Sequence, residues 1–390
     1  MDLKRFLFKN ARIIGGQLPI FQGWLQTEGK SITEIGLGEP LAWLEERADE
    51  IVDCLGLTLL PGLIDLHTHG ALGHQFMQPD VQVWQELSQY YASHGTTGVL
   101  ATTWTASQED LEKVLATAQA VMGHESGAKI LGVHLEGPFI NRLRGGAQEA
   151  ALIRPASEAE IQKLLASGVV KLVSLAPEIV ENQALIKVCM TRGITVSAGH
   201  TDASFDEMVA AVEAGVTQVT HCFNAMRPLN HRQPGAVGAA LTMDALRCEL
   251  IADNIHIHPA VMKLMAKAKG MQGIILITDS IQPAGLSDGK YDMDGRWITL
   301  QHGEARLQDG TLAGSTLSLN KGLQNFSRAS QRPLDDTWVC ATLNPATAIH
   351  LEKTKGSLMP GKDADIILVD SEFEVKFTMV EGRFVYRRGH

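Results

Sequence analysis

LLPGLIDLHTHG, residues Leu59–Gly70, is a short apolar run that ends in two histidines and a glycine. Residues i and i+2 of a β-strand point to the same face, so His67 and His69 aim at one point. A metal ion is one occupant of that point. Two hydrogen-bonded polar residues at a strand end are the other reading, and the spacing leaves both open. The run is near-continuously apolar rather than alternating, as expected of a parallel strand covered on both faces.

Seven more such runs follow: Gly98–Thr102, Ile130–Leu135, Val170–Leu175, Thr195–Ala198, Gln218–His221, Leu246–Ile251 and Gly273–Thr278. Helical patterns separate most of them. Val81–His94 is closed by Gly95, Ser107–Val121 opens on a capping-box-like Ser-Gln-Glu-Asp, Ser204–Ala214 is closed by Gly215, and Pro259–Lys269 by Gly270. Eight β/α repeats predict an α/β fold, a (β/α)8 TIM-like barrel. The sixth unit, NAMRPLNHRQPGAVGAAL, reads as a long loop rather than a helix. Residues 287–312, rich in Gly and Asp, read as a hairpin-like excursion after strand eight. Both chain ends hold short strand-like pieces that cannot bury an apolar face alone. They are expected to pair into one small β-sandwich, residues 1–58 plus 357–390, beside a barrel spanning 59–356.

With 390 residues, 45% of them hydrophobic, the chain can bury a large core. The net charge is −10 and no basic stripe is present, which argues against a nucleic-acid partner. No apolar run approaches the ~20 residues of a membrane span, so no membrane partner is expected. The N-terminal MDLKRFLFKNARIIGG carries charges within its apolar run and makes a poor signal peptide. Five scattered cysteines without CxxC spacing read as reduced thiols in a cytoplasmic protein, Cys222 among them as packing.

Barrels of this kind gather reactive groups at the C-terminal ends of their strands. Nearly every strand here ends in one: His67 and His69, Thr102-Thr103, His134 and Glu136, Glu178, His200, His221, then Asp253, His256 and His258, and Asp279. A lone histidine at a strand end is more often structural than a ligand; five or six on one rim reverse that expectation. Imidazole and carboxylate suit Zn²⁺ or Fe²⁺, and three protein ligands leave a coordination position open. Glu136, His200 and His221 would form such a site. His67 and His69 would form a neighbouring one that shares Glu136. The lysine that bridges many two-metal barrels has no counterpart, since Lys171 stands at the wrong end of strand four. Asp279 is the expected general acid/base, with a helix N-cap as the structural alternative. His134 is expected to orient Glu136. The loop NAMRPLNHRQPG adds Asn224, Arg227, His231 and Arg232. Arginine forks match phosphate or carboxylate, and Arg232, held by the Gln-Pro-Gly turn, is favoured over Arg227 to act with His256 on an anionic sugar or acid.

Together PGLIDLHTHG, HLEGPF, LAPE, SAGHTDAS, THCFNAMRPLNHRQPG, ITDSIQPAG, LAGSTLSLNKG and NPATAIHLEKTKGSLMPGKDADIILVD resemble the N-acetylglucosamine-6-phosphate deacetylases of the amidohydrolase superfamily. The resemblance implies hydrolysis of the acetamide of N-acetylglucosamine 6-phosphate, in amino-sugar catabolism or recycling. It implies a divalent ion, Zn²⁺ or Fe²⁺, one or two per subunit, on Glu136, His200 and His221, with His67 and His69 allowing the second. Asp279 would be the catalytic acid/base. Ala147, Gln148, Asn224, Ala225, Arg232, His256 and the turn Leu312, Ala313, Gly314 would contact the substrate. Arg232 and His256 would lie near the phosphate, in a homodimer where the arginine reaches the neighbouring subunit. Where many members carry Lys-Gly-Ala-His, this chain has RGGAQ, with Gln148 at the histidine position. A dihydroorotase-like amidase or a D-aminoacylase would favour the missing bridging lysine and leaves FNAMRPLNHRQPG unexplained. A non-catalytic amino-sugar phosphate sensor leaves the intact Asp279 unexplained.

Overall fold

Near-continuous burial of eight apolar runs is met by a parallel sheet whose outer face is covered by helices. The computed structural model describes residues 3–16, 19–293 and 295–389. Met1, Asp2, Gln17, Leu18 and His390 of the expected chain-end unit, and Asp294 of the excursion, lie outside the described residues. The barrel strands are β1 (Leu63–Thr68), β2 (Thr96–Thr102), β3 (Lys129–Glu136), β4 (Val170–Leu175), β5 (Thr195–Ala198), β6 (Gln218–Val219), β7 (Arg247–Ile251) and β8 (Ile274–Ile277). They pair in that order, each parallel to the next. Past the ends of β1 and β8 the main chain closes the ring. Asp279 N donates to His67 O at 2.8 Å and His69 N to Ser280 O at 2.8 Å.

Side chains join the same two strands. The buried Asp65 carboxylate accepts from Thr278 Oγ1 at 2.6 Å and from His67 N at 3.2 Å. Burial pushes its carboxyl up to about 7 against these bonds.

The helices α1 (Val81–Ser93), α2 (Gln108–Val121), α3 (Glu158–Ala166), α4 (Asn182–Thr191), α5 (Phe205–Ala214), α6 (Gly235–Thr242), α7 (Pro259–Lys269) and α8 (Leu319–Ser330) cover the outside. Start signals read in the sequence are present as bonds. Ser204 and Glu207 form a full capping box at α5, and Ser107 accepts from Asp110 N at α2. The sixth unit corrects the loop reading, since its second half is α6. Every residue from Gly235 to Leu241 is buried. A small-residue helix buried all round has no polar face, so the periodicity that marks a helix is missing.

Alternate residues of the strands serve two cores. Val99, Ala101, Ile274 and Leu276 join the large cluster shared with the helices. Leu100, Leu172, Ile275 and Ile277 join a separate cluster with Ala346, Ala348 and Ile349. Strand residues face opposite sides with period two, so this second cluster fills the barrel interior. The short helix Leu343–Ala348 seats against the strand starts, where Thr195 Oγ1 donates to Ala348 O and Asn344 Nδ2 to Ile274 O at 2.7 Å. The floor is therefore apolar and plugged, and polar chemistry is left to the opposite rim.

The two chain ends build one eight-stranded sheet, with Ile366–Val369 paired to Thr58–Pro61 and Arg5–Ile13 next in line. Phe384 in its terminal strand Arg383–Arg387 packs edge-on against Phe6 at 5.0 Å, four strands away in the order. Strands stand about 4.8 Å apart, so a flat sheet would separate them by roughly 19 Å. The sheet curls on itself around Phe6, Phe8, Leu25, Phe377 and Met379, and the expected sandwich is made by one sheet rather than two. The excursion is a three-stranded antiparallel sheet, Gly289–Met293, Arg296–Gln301 and Glu304–Leu307. Its Met293, Ile298, Leu300 and Ala305 pack with Trp104 and Ala313 at the barrel mouth. No helix among the described residues is long and apolar enough to cross a membrane.

The Asp65–Thr278 bond gives a stability test. Thr278→Val keeps the shape and strips the buried carboxylate of its shortest partner. An unfolding free energy lower by about 1–3 kcal/mol is expected, read from the urea midpoint at unchanged m-value.

Candidate active site

Three of the strand ends that carry chemistry turn through backbone conformations that L-residues avoid. His200, His221 and Asp279 have φ of 47°, 27° and 50°, and Phe223 and Ala225 follow at 78° and 48°. Each such residue costs about 1–3 kcal/mol and persists only where the surroundings impose it. The turns bring side chains from distant strands to one carboxylate. Glu136 Oε1 lies 3.1 Å from His200 Nε2, 3.1 Å from His221 Nε2 and 3.3 Å from His67 Nε2. Its Oε2 lies 3.3 Å from His69 Nε2. Asp279 Oδ1 lies 3.2 Å from His69 Nε2 and 3.4 Å from His67 Nε2.

All these side chains are buried. Burial alone would raise the Glu136 carboxyl, but the imidazoles of His67, His200 and His221 outweigh it and hold the group well below the carboxylate range. Asp279 behaves alike: burial raises it, and His67 and His69 bring it below its ordinary value. For His67, burial disfavours the cation, yet without an ion between them Glu136 and Asp279 lift it well above the usual imidazole range, and a bound ion would displace the Nε2 proton.

The donor atoms fit a divalent metal. Nε2 of His67 and both ring nitrogens of His69 are buried without a hydrogen bond, although carboxylate oxygens stand 3.2–3.4 Å from the two Nε2 atoms. Lone pairs that converge without bonding one another suit a cation between them. Two three-residue groups arise, Glu136 with His200 and His221, and His67 with His69 and Asp279. The candidate ligand atoms of each lie within 4.8 Å of one another. The ring of His200 is oriented from behind, its Nδ1 2.8 Å from Arg144 O, which leaves Nε2 for the metal.

A cavity of about 330 Å³ opens above this centre. Its wall brings together Glu136, His200, His221 and Asp279 with Ala147, Gln148, Asn224, Ala225, His256 and Leu312–Gly314. His67 and His69 lie beneath, off the wall. Arg232 is not brought in. It is exposed and lines a separate cleft with Phe205, Arg227 and Gln233, while Arg227 pairs with Asp202 at 2.6 Å. The arginine among the wall residues is instead Arg306, from the excursion, whose guanidinium pairs with Glu304 at 2.9 Å. His134 makes no hydrogen bond to Glu136, contrary to expectation. Its Nε2 lies 2.7 Å from Ser174 Oγ and its Nδ1 3.4 Å from Thr102 Oγ1, partners on the two neighbouring strands. Burial, with positive neighbours, keeps it well below the ordinary imidazole value. Gln148 reaches the wall with both amide ends engaged: Nε2 donates to Glu136 Oε2 at 2.7 Å, and Oε1 accepts from Thr105 N at 2.7 Å. Glu178 is held by Asn141, Thr201 and the Asp202 amide and does not line the cavity.

Trp104 was not singled out by sequence. It stacks on His69 at 3.8 Å and 11° and forms part of the wall. Its place directly after Thr102-Thr103, at a strand end, was the available signal. Arg306 offered none, because only packing carries the excursion to the mouth. At Gly314, φ is +106°, and a Cβ would sit 2.7 Å from Ile281 and 3.0 Å from Asp279 O, so only glycine passes this close behind Asp279.

The amidohydrolase family model matches residues 58–385. The chain belongs to the amidohydrolase family. This amidohydrolase is 37% identical over 387 residues to the N-acetylglucosamine-6-phosphate deacetylase of Bacillus subtilis (strain 168), covering 97% of each chain. It is 34% identical to the N-acetylgalactosamine-6-phosphate deacetylase of Escherichia coli O157:H7, over 93% of this chain and 96% of that one. Among solved structures it is similar to a mutant N-acetyl-D-glucosamine-6-phosphate deacetylase from Mycobacterium smegmatis in complex with N-acetyl-D-glucosamine-6-phosphate. The TM-score is 0.90 at 30% identity, covering 99% of this chain and all of that one (100%).

A metal bound only by the folded site adds stability by mass action. Chelator-treated protein should melt at lower temperature, and divalent ion at one hundred times its Kd should restore about 2.7 kcal/mol, read by calorimetry with metal analysis.

Proposed function

We propose that this amidohydrolase removes the acetyl group of N-acetyl-D-glucosamine 6-phosphate, giving D-glucosamine 6-phosphate and acetate. The observation that carries the reading is the meeting of Glu136, His200, His221, His67 and His69 with Asp279 under a small cavity, in a chain 37% identical over 97% of its length to such a deacetylase. Glu136, His200 and His221 would hold a divalent ion, Zn²⁺ in preference to Fe²⁺, and His67 with His69 a second that shares Glu136. An ion there supplies a Lewis acid for the acetamide carbonyl and lowers the pKa of a water.

The chain's own residues do the rest. Asp279 stays ionised next to its imidazoles, so it accepts the proton of the attacking water and returns it to the departing amine. His256 donates from Nδ1 to Asp253 Oδ2 at 2.6 Å; burial disfavours its cation, but Asp253 outweighs burial and raises its pKa. With Arg306 it gives the wall a positive side suited to the phosphate. Asn224, Ala225 and Leu312–Gly314 would hold the sugar, and Gln148 steadies Glu136 beside it. Arg232 lies outside its own chain's cavity, which fits a role at a partner's phosphate in a homodimer. The five cysteines are buried and free, consistent with a reducing cytoplasm. The reaction would serve amino-sugar catabolism or recycling.

The 4-epimer is the second substrate to weigh, because one relative is named for it. Acetate release from the 6-phosphates of N-acetylglucosamine and N-acetylgalactosamine, and from unphosphorylated N-acetylglucosamine, is the test. Faster turnover of the first is expected. No turnover by metal-loaded protein would overturn the reading, and preference for the second would reassign it.

Asp279→Asn should lower kcat by roughly 10²–10⁴-fold with KM little changed, measured by the same assay.

A further inference from the structure

One buried carboxylate has no part in the proposed chemistry. Glu249 lies mid-strand in β7, fully buried between Cys248 and Leu250. A carboxylate is tolerated in such a place only if its oxygens are hydrogen-bonded. Its Oε1 accepts from Gln218 Nε2 at 2.6 Å. Its Oε2 lies 3.0 Å from His67 Nδ1 and accepts from His221 N at 3.1 Å. A single side chain thus touches one residue from each ligand group, the ring of His67 and the backbone of His221.

We infer that Glu249 is a positioning residue for the metal centre: it holds the His67 ring with its proton on Nδ1, and so sets how tightly His67 and His69, sharing Glu136, bind the second ion. The bond leaves Nε2 as the lone-pair atom, and Nε2 faces Glu136 Oε1 at 3.3 Å and Asp279 Oδ1 at 3.4 Å. A carboxylate behind a metal-binding imidazole also makes it a stronger donor. The backbone of Arg144 does the equivalent for His200, so each group has a histidine oriented from behind, one by a neutral carbonyl and one by a charge. The inference rests on the two-ion reading.

Glu249→Gln tests it gently. The variant keeps an oxygen for His67 and His221, and its new amide meets Gln218, whose Oε1 has no partner in the structure and can turn to accept. Zn²⁺ content and competition against a chromophoric chelator are measured for wild type, E249Q and E249L. Wild type should hold two ions. E249Q should bind the weaker one about tenfold less tightly with the tighter one unchanged, and E249L should retain one ion. Should E249L fail to fold, E249Q decides alone. Unchanged affinity for both ions in E249Q, or equal loss of both, would overturn the inference while leaving the two-ion reading intact. One ion in wild type would overturn both.

Discussion

The Glu136 carboxylate is the point on which the rest of the molecule depends. Its two oxygens face imidazoles from β1 and from the ends of β5 and β6, and the amide of Gln148 besides. A buried charge with this many neighbours is stable only if each neighbour is held in place. That requirement explains the closed ring of strands: each strand end is fixed by the next, and β1 is fixed to β8 by Asp65, Thr278 and the main chain of His67.

The barrel divides its work along its axis. Leucine and isoleucine fill the interior, with the helix Leu343–Ala348 against the strand starts. Strain, charge and unbonded imidazole nitrogen gather at the opposite rim. The apolar floor supplies stability that the rim spends on left-handed turns at His200, His221 and Asp279. The low dielectric around the rim strengthens every electrostatic effect there, which is why burial and neighbouring charge oppose each other so strongly at Glu136 and His67. The excursion adds a wall at the barrel mouth, bringing Arg306, Thr311 and Leu312 to a cavity otherwise lined from the barrel.

Much of this was legible in the sequence. Apolar runs of strand length separated by capped helices led to the barrel, because burial on both faces leaves a mark that short-range reading detects. The pair His67–His69, two residues apart on one strand, needed only the pleat to bring the rings together, and Glu136, His200, His221 and Asp279 needed only the rule that strand ends share one rim. The buried helix Gly235–Thr242 escaped because a helix without a wet face has no period to read.

What the tertiary structure alone decided depends on contacts between residues far apart in the chain. Gln148 stands where a sugar contact was expected, yet its amide is divided between Glu136 and Thr105, a choice made by loop packing. His134 shares a strand face with Glu136 but bonds sideways to Ser174. Arg232 lies in a cleft outside its own cavity and Arg306 comes in from the excursion, since long side chains go where the fold places their Cα atoms. Glu249 reads in sequence as a charge misplaced in an apolar strand. Only the closed barrel puts His67, forward in space and 182 residues away in the chain, within reach of it.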